Sequence, residues 1–322
     1  MQISDMNEDE LIASFIPYLP KAKDVIVPTG DDCAVLPGRG DTAVSIDMLV
    51  EDRHFKRAWS TGADVGYRAA QQNLADAVAM GARPTSLVVG LGLPGDLDAE
   101  WVSDFARGLA EACEPLGVGV DGGDLVGSDA IVVSVTVLGS MEGRAPVRRS
   151  GASPQDLVVF AGNLGHGVAG YSLLEAGFDR TIDDPALAAL IDDFLRPKPP
   201  LGIALAAAES FTSLMDVSDG LVRDARRIAK ASGMAIDLDK KAIERRMGDL
   251  GKAAGRVRAD RREWLFTGGE DHGFIGTIHP DTPVPAGFEV IGKVGGPYHL
   301  GKLTVGGREV AEGGGWDHFR KS

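Results

Sequence analysis

The sequence predicts an α/β (α+β) chain of two domains, and three observations carry that reading. Its 322 residues exceed what one small core organises and fall short of three ordinary domains. Strand-like apolar runs alternate with segments of helical period along the chain. Residues 139–154 (GSMEGRAPVRRSGASP) concentrate Gly, Pro, Ser and Arg, the composition of a boundary. The domains are accordingly placed at 1–143 and 144–322.

Apolar period and punctuation put strands at 42–49, 86–93, 118–120 and 131–138. Helices fall at about 63–80 and 98–114, the second opened by Asp98 as an N-cap. After the boundary come a strand at 157–161, helical segments around 168–176 and 201–210, and a strand at 212–215. A helix over about 218–232 follows, then short strands around Phe274, Val290 and Leu303.

Composition narrows the function. Asp and Glu outnumber Lys and Arg by 47 to 33, a net charge of −14, which disfavours general nucleic-acid binding. Divalent cations can invert the local sign, so anionic substrates stay open. The two cysteines, Cys33 and Cys113, make neither a disulfide framework nor a thiolate zinc site. The start MQISDMNEDELIASF has no basic n-region and no long apolar h-region, and no run approaches ~18 apolar residues. The expectation is a cytoplasmic protein with no membrane partner.

Two nucleotide-binding patterns occur and both fail. GLGLPG (90–95) matches G-x-G-x-x-G, but Asp96 and Asp98 open the helix whose N-terminus should hold a pyrophosphate. GFEVIGKV (287–294) and GPYHLGKL (296–303) approach a P-loop, yet each has an aliphatic residue where Ser or Thr must hold Mg²⁺.

The placement of aspartates is more informative. Asp31 and Asp32 sit between a turn and an apolar strand, Asp47 interrupts the strand 43–50, and Asp124 ends VGVDGGD. Asp216 and Asp219 bracket Ser218 at a strand end and helix start. Asp76 falls in a helix that is apolar nearly all round, which predicts a buried carboxylate. An isolated buried carboxylate costs several kcal/mol unless it is paired or holds a metal. The basic residues near these motifs look too few to neutralise the set. Hard oxygen donors at element ends suit Mg²⁺ shared with substrate phosphates.

In order along the chain, GDDCAVL (30–36), SIDMLVEDRHF (45–55), NLADAVAMGARP (73–84), GGD (122–124), RSGA (149–152), MDVSDGL (215–221), GGED (268–271) and GWDHF (315–319) stand out. With these motifs the sequence resembles thiamine-monophosphate kinase, of the superfamily that includes aminoimidazole ribonucleotide synthetase, selenophosphate synthetase and the hydrogenase-maturation protein HypE. The aspartate motifs are shared across that superfamily. The HF after the Asp47 motif, GGED and the terminal GWDHF point to the kinase.

The resemblance implies a PurM-like fold whose N-terminal sheets pair across a homodimer, with a C-terminal α/β domain. It implies phosphoryl transfer from ATP to thiamine monophosphate, with several Mg²⁺ ions. Asp32, Ser45, Asp47, Asp76, Asp124, Asp216 and Asp219 would hold the metals, with Asp31 and the Ile46 carbonyl as further donors. Gly123, Asp124, Arg149 and Ser218 would contact ATP, and His54, Glu270 and Trp316 would contact thiamine monophosphate. No general base is implied. Another ATP-dependent enzyme of the superfamily, such as a HypE-like protein or a cyclo-ligase, and a non-catalytic nucleotide-binding scaffold are the alternatives. The sequence departs from the family pattern at Ile46, commonly Thr, at His272-Gly273, usually Tyr-Glu, and at Gly165-His166-Gly167, usually Gly-Asp-Ser.

Overall fold

The computed structural model describes residues 2–6, 8–22, 38, 40–296 and 301–310. Asp31, Asp32 and Trp316 lie outside them. The chain forms two compact units, Met1–Val78 with Ala82–Ala145, and Ala79–Gly81 with Pro146–Ser322.

The first unit runs α1 (Glu8–Phe15), β1 (Thr42–Val50), α2 (Gly62–Ala79), β2 (Arg83–Leu93), α3 (Ala99–Cys113), β3 (Gly119–Gly127) and β4 (Val132–Ser140). Its sheet order is β1-β4-β2-β3. β4 pairs antiparallel with both β1 and β2, and the β2-α3-β3 crossover makes the parallel pair. Asp98 caps α3 as predicted, its side chain accepting from the Glu100 amide at 3.0 Å. Val102, Phe105, Ala106 and Leu109 form the buried stripe of that helix. Helices α2 and α3 meet almost backbone to backbone, and only glycine permits it. A Cβ on Gly66 would lie 2.1 Å from the Phe105 carbonyl oxygen, and one on Gly108 2.0 Å from that of Ala63.

The sheet face carrying Ser45, Asp47 and Leu49 turns towards α2, where the Asp47 amide and the Ser45 hydroxyl both find partners. The alternate residues Val44, Ile46 and Met48 are 67 %, 59 % and 51 % exposed. The register puts exposed Val88 in the same row as Ile46, through Thr136.

Two features differ from expectation. β3 runs on to Gly127 instead of stopping at Val120, because parallel pairing with β2 carries the glycines and aspartates of VDGGD along as ladder residues. Gly90 and Gly92 belong to β2 and pair with Asp124 and Val126, so the 90–95 motif is no phosphate loop. Residues 289–295 likewise form a strand.

The second unit contains β5 (Leu157–Ala161), α4 (His166–Glu175), α5 (Pro185–Leu195), α6 (Leu201–Ala206), β6 (Ser213–Val217), α7 (Leu221–Ser232), β7 (Ala235–Leu238), α8 (Lys240–Arg246), α9 (Gly251–Val257), α10 (Arg261–Thr267), β8 (Gly273–Ile278), β9 (Glu289–Gly295), β10 (Leu303–Val305) and β11 (Arg308–Glu309). Its strand order is β11-β10-β7-β9-β5-β8-β6, antiparallel except for β10 with β7. β6 and β8 are buried at every position, so both faces of this part of the sheet are covered. Leu221, Val222, Ala225, Ile228 and Ala229 form the buried face of α7. Among the described residues no helix is long and apolar enough to cross a membrane.

Candidate active site

In the first unit the candidate residues start on β1. Ser45 Oγ donates to Asp76 Oδ2 at 2.7 Å, and the Asp47 amide donates to Asn73 Oδ1 at 3.1 Å. Asn73 is fully buried and anchored by its own amide on the Ala69 carbonyl at 2.8 Å, so it fixes β1 against α2. The spacing Asn73 to Asp76 puts both side chains on neighbouring turns of one helix face. Asp76 is half-buried, where the sequence predicted full burial. It faces Ser45, itself half-buried, on the strand that ends the sheet order among the described residues.

Asp124 and Gly123 lie exposed in β3. A Cβ on Gly123 would stand 2.2 Å from the Val89 carbonyl oxygen, so no other residue fits that register. The neighbouring Asp121 is structural, accepting from the Ser86 hydroxyl at 2.6 Å and the Ala22 amide at 3.1 Å. His54 Nδ1 accepts from the Val50 amide at 3.0 Å, which leaves Nε2 as the ring's donor when neutral. The Ile46 side chain points to the open face of the sheet.

In the second unit the candidate residues gather at the end of β6. Asp216 is buried on its last turn of ladder, Ser218 and Asp219 follow, and Gly220 at φ +108° opens α7. The loop 268–272 zips onto this end. The Glu270 amide donates to the Ser218 carbonyl at 2.9 Å, and the His272 amide to that of Val217 at 3.0 Å. Glu270 and His272 both adopt positive φ, at +72° and +53°, a conformation concentrated at functional sites. Between them Asp271 turns the other way and accepts from the Gly165 and Gly167 amides at the start of α4. Burial pushes its carboxyl up from the usual range, and those amides pull it back in part. Arg149 is exposed, its carbonyl accepting from Ser232 Oγ at 2.9 Å.

Asp219 is not short of basic partners, contrary to the sequence reading. Arg227 Nη2 lies 2.6 Å from Asp219 Oδ2, and Arg223 is 3.8 Å away. Arg227 lies eight residues on, about two turns along α7, so its guanidinium returns to the helix start. It also binds Asp224 at 2.6 Å, and Asp224 Oδ2 accepts from the Asp219 amide. Complete burial pushes Asp224 up to about 7, Arg227 opposing and Asp216 and Asp219 reinforcing the rise.

His272 is the group the motifs did not flag as a contact. Its Nδ1 lies 3.1 Å from Asp216 Oδ2 and its Nε2 3.8 Å from Glu270 Oε2. Burial alone would push the imidazole down, but the carboxylates of Asp216 and Glu270 lift it to about 10. A folded value above the ordinary 6.5 contributes stability present below about pH 6.5 and lost as pH climbs towards 10. In metal-free protein the gap in thermal midpoint between the parent and His272→Asn should therefore narrow between those pH values. A gap independent of pH would mean the ring is neutral. His166, at the start of α4, is bound by Asp193 at 2.8 Å.

Among the described residues no three His, Cys, Asp or Glu side chains converge closely enough to hold a metal together. The donors that the described residues do present at the predicted positions are all oxygens, the chemistry Mg²⁺ prefers.

This pair of α/β units, with acidic oxygens on β1, α2 and β3 of one and a β6–α7 acidic turn on the other, matches a known class. Residues 30–141 match the AIR synthase related protein, N-terminal domain, family, and residues 153–312 match the AIR synthase related protein, C-terminal domain, family. A thiamine-monophosphate kinase of Mycobacterium tuberculosis is 43% identical over 298 residues, 92% of this chain and 86% of that one. That of Bacillus subtilis is 32% identical over 305 residues, covering 94% and 91%. The solved structure of AaThiL complexed with AMPPCP and TMP superposes with a TM-score of 0.78 at 29% identity, over 92% of this chain and 91% of that one. Within the AIR synthase related class, the chain belongs to the thiamine-monophosphate kinase family.

Proposed function

We propose that this protein transfers the γ-phosphoryl group of ATP to the phosphate of thiamine monophosphate. A P–O bond forms to a phosphate oxygen of the acceptor, the bond to the β-phosphate oxygen breaks, and thiamine diphosphate and ADP leave. Asp32, Ser45, Asp47, Asp76, Asp124, Asp216 and Asp219, with Asp31 and the Ile46 carbonyl, are assigned to Mg²⁺. When bound, Mg²⁺ supplies neutralisation of phosphate charge, the main requirement of such a transfer. Gly123, Asp124, Arg149 and Ser218 take ATP, and His54, Glu270 and Trp316 take thiamine monophosphate. The attacking phosphate oxygen is largely anionic at neutral pH, so no side chain has to remove a proton.

The observation that carries this reading is the Ser45–Asp76 contact with Asp47 beside it on the same strand face. Ser45 and Asp76, from two elements, are joined there before any ligand arrives, and Asp47 shares the Ser45 face of β1. The N-terminal unit is assigned to ATP, Mg²⁺ and dimerisation. The open row of Val44, Ile46 and Met48 supports its sheet pairing with that of a second copy, since apolar patches of this kind mark interaction surfaces. The reaction is assigned to the cytoplasm.

The test is purified protein with ATP, Mg²⁺ and thiamine monophosphate, followed for thiamine diphosphate. ATP turnover without it would favour a HypE-like or cyclo-ligase activity, and no turnover a scaffold. Trp316→Ala should raise the KM for thiamine monophosphate by roughly tenfold and leave that for ATP unchanged, because only the organic cation gains from an aromatic face. An unmoved KM would assign Trp316 to packing.

A further inference from the structure

The residues assigned to the reaction leave one concave site of the second unit unused. A cavity of about 460 Å³ opens between α8, α10 and the β10–β11 hairpin, a volume in the range of small-molecule sites. Ile243, Phe266 and Val305 give it a buried apolar wall, and Lys240, Arg262 and Arg308 bring three cations to it. Each cation stands on a fixed backbone. Asp239 caps α8 just ahead of Lys240, and Asp260 accepts from the Arg262 amide at 2.8 Å. The Gly306-Gly307 turn, at φ +57° and +77°, sets Arg308 opposite Val305. That hairpin is held on β7, where the Gly306 amide donates to the Leu238 carbonyl at 2.9 Å.

The charges of this cavity are not balanced. Two carboxylates line it and each has a lysine, Glu244 with Lys240 at 3.6 Å and Glu309 with Lys302 at 3.5 Å. Among the described residues neither Arg262 nor Arg308 meets a carboxylate side chain, and Arg262 lies over the Phe266 ring at 5.1 Å. The surroundings reinforce the sign. Residues 240–262 hold nine of the 33 Lys and Arg and only three of the 47 Asp and Glu. An otherwise acidic chain therefore concentrates positive charge along the two helices that border the cavity, which draws anions there.

We infer that this cavity is a second ligand site, for a small phosphate ester that carries a flat ring. Arg262 and Arg308 take the phosphate, which guanidinium groups bind through paired hydrogen bonds. The ring lies against Ile243, Phe266 and Val305. An inorganic anion would leave that wall facing water, and a neutral ring would leave both arginines unused, so the lining calls for the two parts in one molecule. The charge that meets the phosphate is the protein's own, and binding needs no metal. This separates the cavity from the acidic residues assigned to Mg²⁺ and ATP.

The test is calorimetric titration of the full chain with AMP, inorganic phosphate and adenosine, in excess chelator. AMP should bind with a Kd below about 1 mM, and phosphate and adenosine each at least about tenfold more weakly. Arg262→Gln and Arg308→Gln should each raise the Kd for AMP by about tenfold. Both side chains are exposed, so both variants should fold. Lys241→Gln removes a neighbouring exposed charge that does not line the cavity and should move the Kd by less than about twofold. Excess thiamine monophosphate should not displace AMP. No AMP binding in chelator would overturn the site, and equal losses in all three variants would reduce it to a diffuse field. Displacement by thiamine monophosphate would assign the cavity to the substrate instead. Phosphate binding as tightly as AMP would overturn the place given to the ring.

Discussion

Asp76→Asn is expected to lower turnover by at least ~10²-fold while leaving the metal-free protein as stable as its parent or more so. The substitution is nearly isosteric and keeps an acceptor oxygen, so the 2.7 Å hydrogen bond from Ser45 Oγ can persist. What it removes is one negative charge from a strand–helix seam that also carries Asp47. Less like-charge repulsion favours the empty fold, and the half-burial of Asp76 makes that gain modest. The loss falls on the state in which Mg²⁺ and the transferring phosphoryl group are present. Thermal midpoint without metal and rate at saturating Mg²⁺–ATP are measured together. A destabilised but active variant would return Asp76 to a hydrogen-bonding role.

Chelation should abolish activity completely, and Mg²⁺ should restore it. The protein carries a net charge of −14, and the residues assigned to nucleotide and metal are mostly acidic. A polyphosphate brought within about 4 Å of a carboxylate meets a repulsion of roughly 1–4 kcal/mol per charge pair near a surface. Several such pairs exceed what Arg149 and a few backbone amides recover. Calorimetry should accordingly show ATP affinity falling with the rate, because the metal is needed to bind nucleotide as well as to react it. Full turnover in excess chelator would sink the carboxylate–Mg²⁺ assignment.

The segments read correctly from sequence are those whose local signal and tertiary role agree. α3 has an Asp cap, an apolar stripe and a surface position, and each predicts the same helix. α8, α9 and α10, each of seven residues in a stretch dense with Lys and Arg, carry no legible period because one or two turns bury too few residues. β7, a four-residue strand, is likewise too short to show a period. β3 looked finished at Val120 because glycine and aspartate are poor strand formers, and only its partner β2 overrides that preference.

At the site, residue types were legible and partnerships were not. Ser45 and Asp76 stand 31 positions apart, and their contact depends on which face of β1 turns to α2. Strand alternation contained that information, since Val44, Ile46 and Met48 make the opposite face plainly apolar. The Asp219–Arg227 pair joins an acid just ahead of α7 to a base within it, a contact that helical spacing alone does not announce. His272 was visible only as a departure from a family pattern. Its contacts arise from two left-handed residues flanking Asp271, which no periodicity announces.

The sheet order β1-β4-β2-β3 also has a consequence for how the protein is made. Among the described residues the strand neighbour of β1 is β4, the last strand of its unit, so β1 leaves the ribosome about 80 residues before that partner exists. At ordinary synthesis rates that interval is on the order of 4–16 s. Throughout it, Thr42–Val50 is an unpaired run of valine, isoleucine, leucine and methionine, broken by Ser45 and Asp47. A charge and a hydroxyl inside such a run act as gatekeepers against chain-to-chain pairing. Two residues assigned to the reaction therefore also protect the nascent chain, and replacing Asp47 with an apolar residue should raise aggregation during translation well beyond its effect on the finished fold.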